Sequence, residues 1–208
     1  MKFATFALLG ILLLGSFASV KAADPVGASQ MAMAFTGDSV MTSDSTGICV
    51  IWFPILGSFD LKSLFMGPLF GAPAVDKEHA YLIFVSDWSM TVLPPNKDFN
   101  FLGLFLPGEA TIYYSNRPDL RDWSDWTNRS TWGEPVAKFV RTAGLFQSTD
   151  GGVSGTVTFS QTLVSSSTFT LNGKPFNFKD LIPHGMTCNE TGVGEVESGT
   201  CFAIGAGQ

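Results

Sequence analysis

Short segments with a side-chain period of two recur along the chain and restrict what it can fold into. Residues 156–160 alternate polar and apolar side chains, and residues 48–53 form a β-branched and aromatic run that ends at Pro54. Strands favour this period and these residues, whereas no stretch has the long 3.6-residue period of an amphipathic helix. Further short strands are predicted at 29–35, 81–85, 111–114, 138–140 and 144–147.

The clearest predicted element is a hairpin around Asn172-Gly173. Residues 168–171 alternate polar and apolar side chains, and Asn-Gly is a two-residue turn that tolerates positive φ. Residues 174–178 then return antiparallel, and Pro175 places this strand at a sheet edge or marks its start.

Many short strands joined by connections rich in glycine and proline define the fold class as all-β. Such sequences are typical of an antiparallel β-barrel or a two-sheet β-sandwich, and both alternatives stay open. One or two short helical turns are expected in addition. Residues 60–66 follow a capping Ser58 or Asp60, and residues 119–126 follow Pro118.

The first 22 residues have the pattern of a secretory signal peptide. Lys2 precedes an apolar run at 3–20, and short side chains at Val20 and Ala22 suit a cleavage site. An uncleaved membrane anchor is the alternative, although glycines and serines dilute the run. We therefore expect residues 1–22 to be removed and residues 23–208 to form a single domain that is secreted or periplasmic.

The mature chain is acidic. The sequence has 18 acidic and 12 basic residues, and two of the basic ones, Lys2 and Lys21, lie in the signal peptide, so the mature charge is about −8. Without a basic stripe to neutralise phosphates, nucleic-acid binding is not expected. No apolar run after the signal peptide is long enough to span a membrane.

Three cysteines follow the signal peptide. In an oxidising compartment the nearby pair Cys188 and Cys201 is expected to form a disulfide across a short loop. Cys49 lies in a β-branched and aromatic run, which favours a buried and unreactive thiol.

Two apolar segments that are rich in turn residues, at 54–71 and 99–108, need something to cover them. They either fold over the ends of the core, pair between subunits, line a pocket for an apolar ligand, or contact a membrane surface. The ligand-contacting candidates are Phe65, Phe70, Phe101 and Phe105. Trp123 and Trp126 are further candidates because they stand among carboxylates and amides, as in sugar-binding sites, although buried indoles are the common alternative.

Catalytic and metal-binding motifs are missing from the sequence, so we expect no cofactor and no metal. Turn formation accounts for the aspartates that follow strands, at Asp38, Asp44 and Asp150. Candidates for acid–base chemistry are His79, His184, Asp87 and Glu109. Sequons for N-glycosylation, relevant in a eukaryotic host, begin at Asn128 and Asn189.

Three functions are compatible with these features. The leading hypothesis is an exported non-catalytic β domain that binds an apolar small molecule or a partner subunit, including a second copy of itself, through the Phe/Gly/Pro-rich loops. The second is a cofactor-free hydrolase or isomerase with its site in a barrel cavity. The third is a carbohydrate-binding module that uses the segment from Trp123 to Trp132.

Overall fold

A computed structural model describes residues 26–56, 69–71 and 76–205. The predicted signal peptide, the predicted helical turn at 60–66 and Phe65 lie outside the described residues. The described part is all-β, with one 3₁₀ turn (Pro118–Leu120) and one four-residue helix, α1 (Phe178–Leu181). Its strands are β1 (Met31–Ser43), β2 (Thr46–Leu56), β3 (Leu82–Leu93), β4 (Phe101–Phe105), β5 (Gly108–Tyr114), β6 (Glu134–Arg141), β7 (Gly144–Ser148), β8 (Ser154–Ser166), β9 (Phe169–Leu171), β10 (Lys174–Phe176), β11 (Met186–Val193) and β12 (Val196–Ala203).

Eight strands close into an antiparallel barrel, which decides between the two predicted architectures. The order around the ring is β1, β2, β3, β5, β6, β8, β11 and β12; β12 pairs with β1, and the pairing of β8 with β11 closes the ring. Closure gives each of these eight described strands a partner on both sides, so the ring itself has no edge strand that could recruit another chain.

The long strands β3 and β8 each pair with two different strands along one edge. Residues 82–86 of β3 pair with β5, and residues 90–93 pair with β4. In β8, residues 161–166 pair with β6, and residues 156–158 pair with β7. Because β5 pairs with β6 and β4 pairs with β7, this stretch of wall is built by a different strand pair at each end of the barrel.

The two ends of the barrel differ. The turns at 43–46, 93–101, 148–154 and 193–196 gather at what we call the open end. At the opposite, closed end, three aromatic rings pack together, those of Phe169, Phe176 and Phe178. Their ring centroids are 5.1–6.1 Å apart. These rings come from the β9–β10 hairpin and α1, which therefore act as a hydrophobic plug.

The predicted hairpin at Asn172-Gly173 is confirmed. Both turn residues have positive φ, 53° and 77°, and β9 pairs antiparallel with β10. The returning strand is shorter than predicted, because it ends at Phe176 and α1 begins at Phe178. The Oδ1 atom of Asn177 accepts a hydrogen bond from the Lys179 backbone N–H at 2.9 Å, which caps the helix and ends the strand.

A long loop at 115–133 covers an outward-facing apolar patch of the barrel wall. Trp132 is fully buried there against Ile48, Val50, Ile83 and Val85. The helical turn predicted at 119–126 is mostly absent, because only Pro118–Leu120 is helical and the rest of the loop is irregular. Within the described residues, no helix has the length and hydropathy needed to cross a bilayer.

Arg121 fastens this loop to the barrel. Its Nε donates to the Trp132 carbonyl at 3.0 Å, and its Nη atoms donate to the carbonyls of Ala80 and Tyr81. Burial lowers the pKa of Arg121 to about 10, so the guanidinium still carries its charge at neutral pH.

Replacing Arg121 with methionine should destabilise the protein by about 2–4 kcal/mol, because three carbonyls lose a charged hydrogen-bond donor. Urea-induced unfolding measures this change. The control Arg117→Met removes an exposed ion pair with Asp119 and should change the unfolding free energy by less than about 0.5 kcal/mol. Equal effects of the two substitutions would contradict the anchoring role of Arg121.

Candidate functional site

A cavity of about 360 Å³ occupies the half of the barrel next to the open end. Residues of the open-end turns, including Asp44, Gly151 and Gly194, belong to its lining. Much of the remaining wall is aromatic, from Trp88, Phe101, Phe105, Phe146 and Phe159. The cavity is therefore a largely apolar chamber with its entrance between the hairpin tips.

The size of the inward-facing side chains explains why only one half of the barrel is hollow. Small residues line the cavity at Ser39, Cys49, Ser86, Gly155 and Gly192. Towards the closed end the core is filled by large, almost completely buried side chains, from Met33, Phe53, Leu82, Ile112 and Phe139. An eight-stranded barrel encloses space that such side chains just fill, so small ones leave a chamber.

Two glutamates face each other on adjacent strands of the cavity wall. Glu190 of β11 lies opposite Gly199, and Glu197 of β12 lies opposite Gly192, so the two carboxyl groups are diagonal neighbours on the inward face. Their side chains are hydrogen-bonded to each other. The Cys49 thiol donates a further hydrogen bond to Oε1 of Glu197.

Gly199 lets the backbone around this pair close up. A Cβ atom at position 199 would lie 2.2 Å from the Asn189 carbonyl oxygen and 2.6 Å from Cζ of Phe35. Any other residue would therefore push β11 and β12 apart or displace Phe35, and either shift would disturb the glutamate pair.

A second polar pair, Arg141 and Gln161, lies on the neighbouring strands β6 and β8, where the two residues are register partners. Arg141 Nη1 donates to Ser86 Oγ at 2.7 Å, and Nη2 is 3.3 Å from the carbonyl oxygens of Asp87 and Leu106. Gln161 is 1% exposed. Its Nε2 lies 3.7 Å from Sγ of Cys188, which forms the disulfide with Cys201. Within the described residues, Arg141 Nε and Gln161 Oε1 are buried without a hydrogen-bond partner.

Burial and mutual repulsion keep protons on the glutamate pair. Burial raises the pKa of Glu190 well above its usual range, and the charge of Glu197 and the hydrogen bond to it raise it further. Burial also raises the pKa of Glu197, although the hydrogen bonds from Glu190 and Cys49 act in the opposite direction. Because the Cys49 thiol donates to Glu197, we assign the role of acceptor to Glu197 and the shared proton to Glu190.

The two other titratable groups of the cavity respond to the same surroundings. Burial, followed by the charges of Glu197 and Glu190, raises the pKa of Cys49, so the thiol stays protonated and is a hydrogen-bond donor rather than a nucleophile. Burial lowers the pKa of Arg141, which nevertheless keeps its positive charge at neutral pH.

Of the residues singled out from the sequence as ligand contacts, Phe101 and Phe105 line the cavity. Phe70 packs between the core and the outer loop rather than in the cavity wall. Trp123 and Trp126 are half-buried on the outside of the barrel. Their rings lie 5.8 and 5.2 Å from the Lys77 ammonium, which also pairs with Asp38 at 2.6 Å.

The four acid–base candidates from the sequence are not brought together. His79 bonds to Asp76 at 2.6 Å in a turn, and His184 is exposed. Asp87 pairs with Arg129 on the outside, and Glu109 is exposed on β5. None of these four belongs to the cavity lining.

The polar groups that do meet in the cavity were missed by sequence reasoning. A usable signal exists, because the paired Cys188 and Cys201 both point inward and side chains alternate along a strand. Counting by two from Cys188 reaches Glu190, and counting back by four from Cys201 reaches Glu197. The disulfide thus identifies the inward face of both strands.

Comparisons of the chain with protein-family models, with curated proteins and with solved structures give no match.

The glutamate pair should make the stability of the barrel depend on pH. Carboxyl groups whose folded-state pKa is raised stabilise the fold fully below the unfolded-state pKa, about 4.5, and this contribution is lost as the pH rises through the folded-state pKa. The unfolding free energy should therefore fall above pH 4.5, by up to about 1.4 kcal/mol per pH unit for one proton.

Glu190→Gln keeps a hydrogen-bond donor beside Glu197 but cannot titrate, so it should reduce this slope by more than half. Glu195→Gln, an exposed position between the same two strands, should keep the wild-type slope. Urea unfolding between pH 4.5 and 8 measures all three proteins. A wild-type slope in Glu190→Gln would show that the shared proton resides elsewhere.

Proposed function

We propose that this protein is an exported binding protein that holds a mostly apolar small molecule inside the barrel. The observation that carries this proposal is the aromatic-walled chamber of about 360 Å³ that opens between the hairpin tips. Its size is within the range of small-molecule pockets, which are mostly apolar with a few polar groups that fix orientation.

The polar groups of the chamber suggest how the ligand is oriented. Buried polar atoms normally have a hydrogen-bond partner, and an unpartnered one costs about 1–3 kcal/mol. Arg141 Nε and Gln161 Oε1 are two such atoms within the described part of the chain. A ligand that places an oxygen-bearing group near them and its apolar body against the aromatic wall would satisfy both kinds of surface.

Export is the second part of the proposal. It is supported by the signal-peptide pattern at residues 1–22 and by the Cys188–Cys201 disulfide, which is stable in oxidising compartments. Asn128 and Asn189, which begin the two sequons, are both exposed, as N-glycosylation requires.

The alternatives from the sequence have less support. Exposed apolar residues at the open end would suit contact with a partner subunit or a second copy of the chain. These residues are Met41, Val92, Val153, Val193 and Val196. They equally suit an entrance for an apolar ligand. Carbohydrate binding requires free aromatic faces, whereas the rings of Trp123 and Trp126 are directed at Lys77.

A neutral fluorescent probe tests ligand binding. N-phenyl-1-naphthylamine should bind the wild-type protein with increased emission and quench the fluorescence of Trp88 in the cavity wall. Val157→Trp projects a large ring into the chamber from β8 and should weaken probe binding at least tenfold. Val164→Trp makes the same change at an exposed position of β8 and should leave binding unchanged.

Equal affinity in the three proteins would place the probe outside the chamber and contradict the proposal. A second measurement does not depend on the probe. Native mass spectrometry of freshly purified protein, followed by organic extraction, should identify a natural ligand. Protein that carries no extractable molecule and gains no melting temperature across a panel of apolar compounds would overturn the binding function.

A further inference from the structure

Building on ligand binding in the chamber, we propose that Glu190 and Glu197 form an acid–base pair that moves a proton on a neutral, mostly apolar carbonyl compound. The barrel would then be a cofactor-free isomerase as well as a binding protein. The inference rests on the proposed function, and it assigns a reaction class and two catalytic residues to the same cavity.

The placement of the two carboxyl groups carries this inference. They are hydrogen-bonded neighbours on the inward face of adjacent strands, and both belong to the lining of the chamber. Two carboxylates at such close range in apolar surroundings cannot both be ionised at neutral pH, so the pair holds one proton. A carboxylic acid and a carboxylate, which differ by one proton, thus face the same ligand space.

Charge balance keeps this state stable. Arg141, on β6, which is separated from the glutamate strand β11 only by β8, exerts a favourable electrostatic effect on the ionised form of Glu190. One positive guanidinium and one shared negative charge leave the polar cluster neutral. A neutral ligand preserves this balance, whereas an anionic ligand would add an unpaired charge to a buried site.

Gln161 gives an independent indication that a polar ligand group reaches this depth. Its side chain is 1% exposed, lines the chamber and leaves Oε1 without a partner among the described residues. A hydroxyl group formed on the ligand during proton transfer would be a suitable donor to this oxygen. A purely hydrocarbon ligand would leave it unsatisfied.

The reaction is a proton transfer that needs no other reactant. Glu197 removes a proton from the carbon next to the carbonyl group, and the C–H electron pair forms a carbon–carbon double bond. The carbonyl π pair moves to the oxygen, which takes the proton of Glu190 and becomes an enol hydroxyl. When the ligand is a β,γ-unsaturated ketone, the enol is a dienol. Its hydroxyl returns the proton to Glu190, the carbonyl re-forms, the electron pair of the enol double bond moves between the α- and β-carbons, and the pair of the β,γ double bond takes the proton from Glu197 at the γ-carbon. The product is the conjugated isomer, and each carboxyl group regains its starting state.

Cys49 is a positioning residue in this scheme. Its thiol donates to Oε1 of Glu197 and therefore holds the base in place. Because it stabilises the carboxylate, it also keeps Glu197 ionised at a lower pH than burial alone would allow.

Deuterium uptake by a small ketone tests the catalytic step. 2-Tetralone in D2O should exchange its α-hydrogens faster with wild-type protein than in buffer, by at least tenfold at saturating ketone. Glu190→Gln and Glu197→Gln should each lose most of this acceleration, while displacement of N-phenyl-1-naphthylamine by the ketone stays within threefold of wild type. Glu109→Gln, an exposed change on β5, should exchange at the wild-type rate.

The possible outcomes separate the two proposals. If the ketone displaces the probe but exchanges no faster than in buffer, the isomerase inference is wrong and the binding function stands. If neither probe nor ketone binds, both fail. If Glu109→Gln slows exchange as much as the cavity substitutions do, the reaction does not occur in the chamber.

The pH profile of the wild-type protein gives a test that needs no folded variant. Exchange requires exactly one proton on the pair, so the rate should fall at low pH as Glu197 is protonated and at high pH as Glu190 is deprotonated. A rate that only rises with pH would indicate hydroxide catalysis and overturn the inference. Four other titratable or charged groups surround the glutamate pair, each from a different strand or turn. They are Asp38, Asp44, Cys49 and Arg141.

Cys49→Val should move the acidic limb of this profile to higher pH, because Glu197 loses a donor that lowers its pKa. Cys49→Ser keeps a donor and should leave the limb near its wild-type position. A merely structural role for Cys49 would lower the rate at every pH without moving either limb.

Discussion

Barrel closure by the pairing of β8 with β11 is the constraint on which the other features depend. It fixes which side chains of every strand point inward, and an eight-stranded ring leaves only enough room for those side chains. Large residues near the closed end make a solid core, and serine, cysteine and glycine near the open end make a chamber. Core and site are therefore two parts of one interior, and they differ in side-chain size rather than in backbone architecture.

The chamber contains groups that folding alone would not favour. Two carboxyl groups, a guanidinium and a glutamine amide lose hydration there, and apolar side chains of equal volume would fill the space at lower cost. The barrel tolerates the group because the closed end, plugged by the β9–β10 hairpin and α1, supplies a well-packed part of the core. A polar cluster inside an otherwise apolar interior is a feature of functional sites, where stability is exchanged for a defined chemical environment.

Local sequence pattern predicted the local structure well. Alternation and β-branched runs placed most strands, Asn172-Gly173 placed the hairpin, and cysteine spacing placed the disulfide. Strand order and the double pairing of β3 and β8 were not predictable, because they depend on contacts between residues far apart in the chain. The glutamate pair was missed for the same reason. Alternation places Glu190 and Glu197 on the same strand faces as the cysteines, but it does not show that these faces point into the barrel.

The direction of entry follows from where polar and apolar groups lie along the barrel axis. Exposed valines and Met41 surround the open end, whereas the aromatic wall and the polar cluster line the chamber inside it. An apolar molecule therefore loses its hydration before it meets a hydrogen-bonding group, so the polar groups interact with it in the absence of water. Hydrogen bonds and proton transfers are strongest under these conditions, because the surrounding dielectric is low. The same arrangement of apolar and polar groups disfavours charged molecules at the rim. The preference for a neutral ligand therefore arises from the whole chamber rather than from one residue.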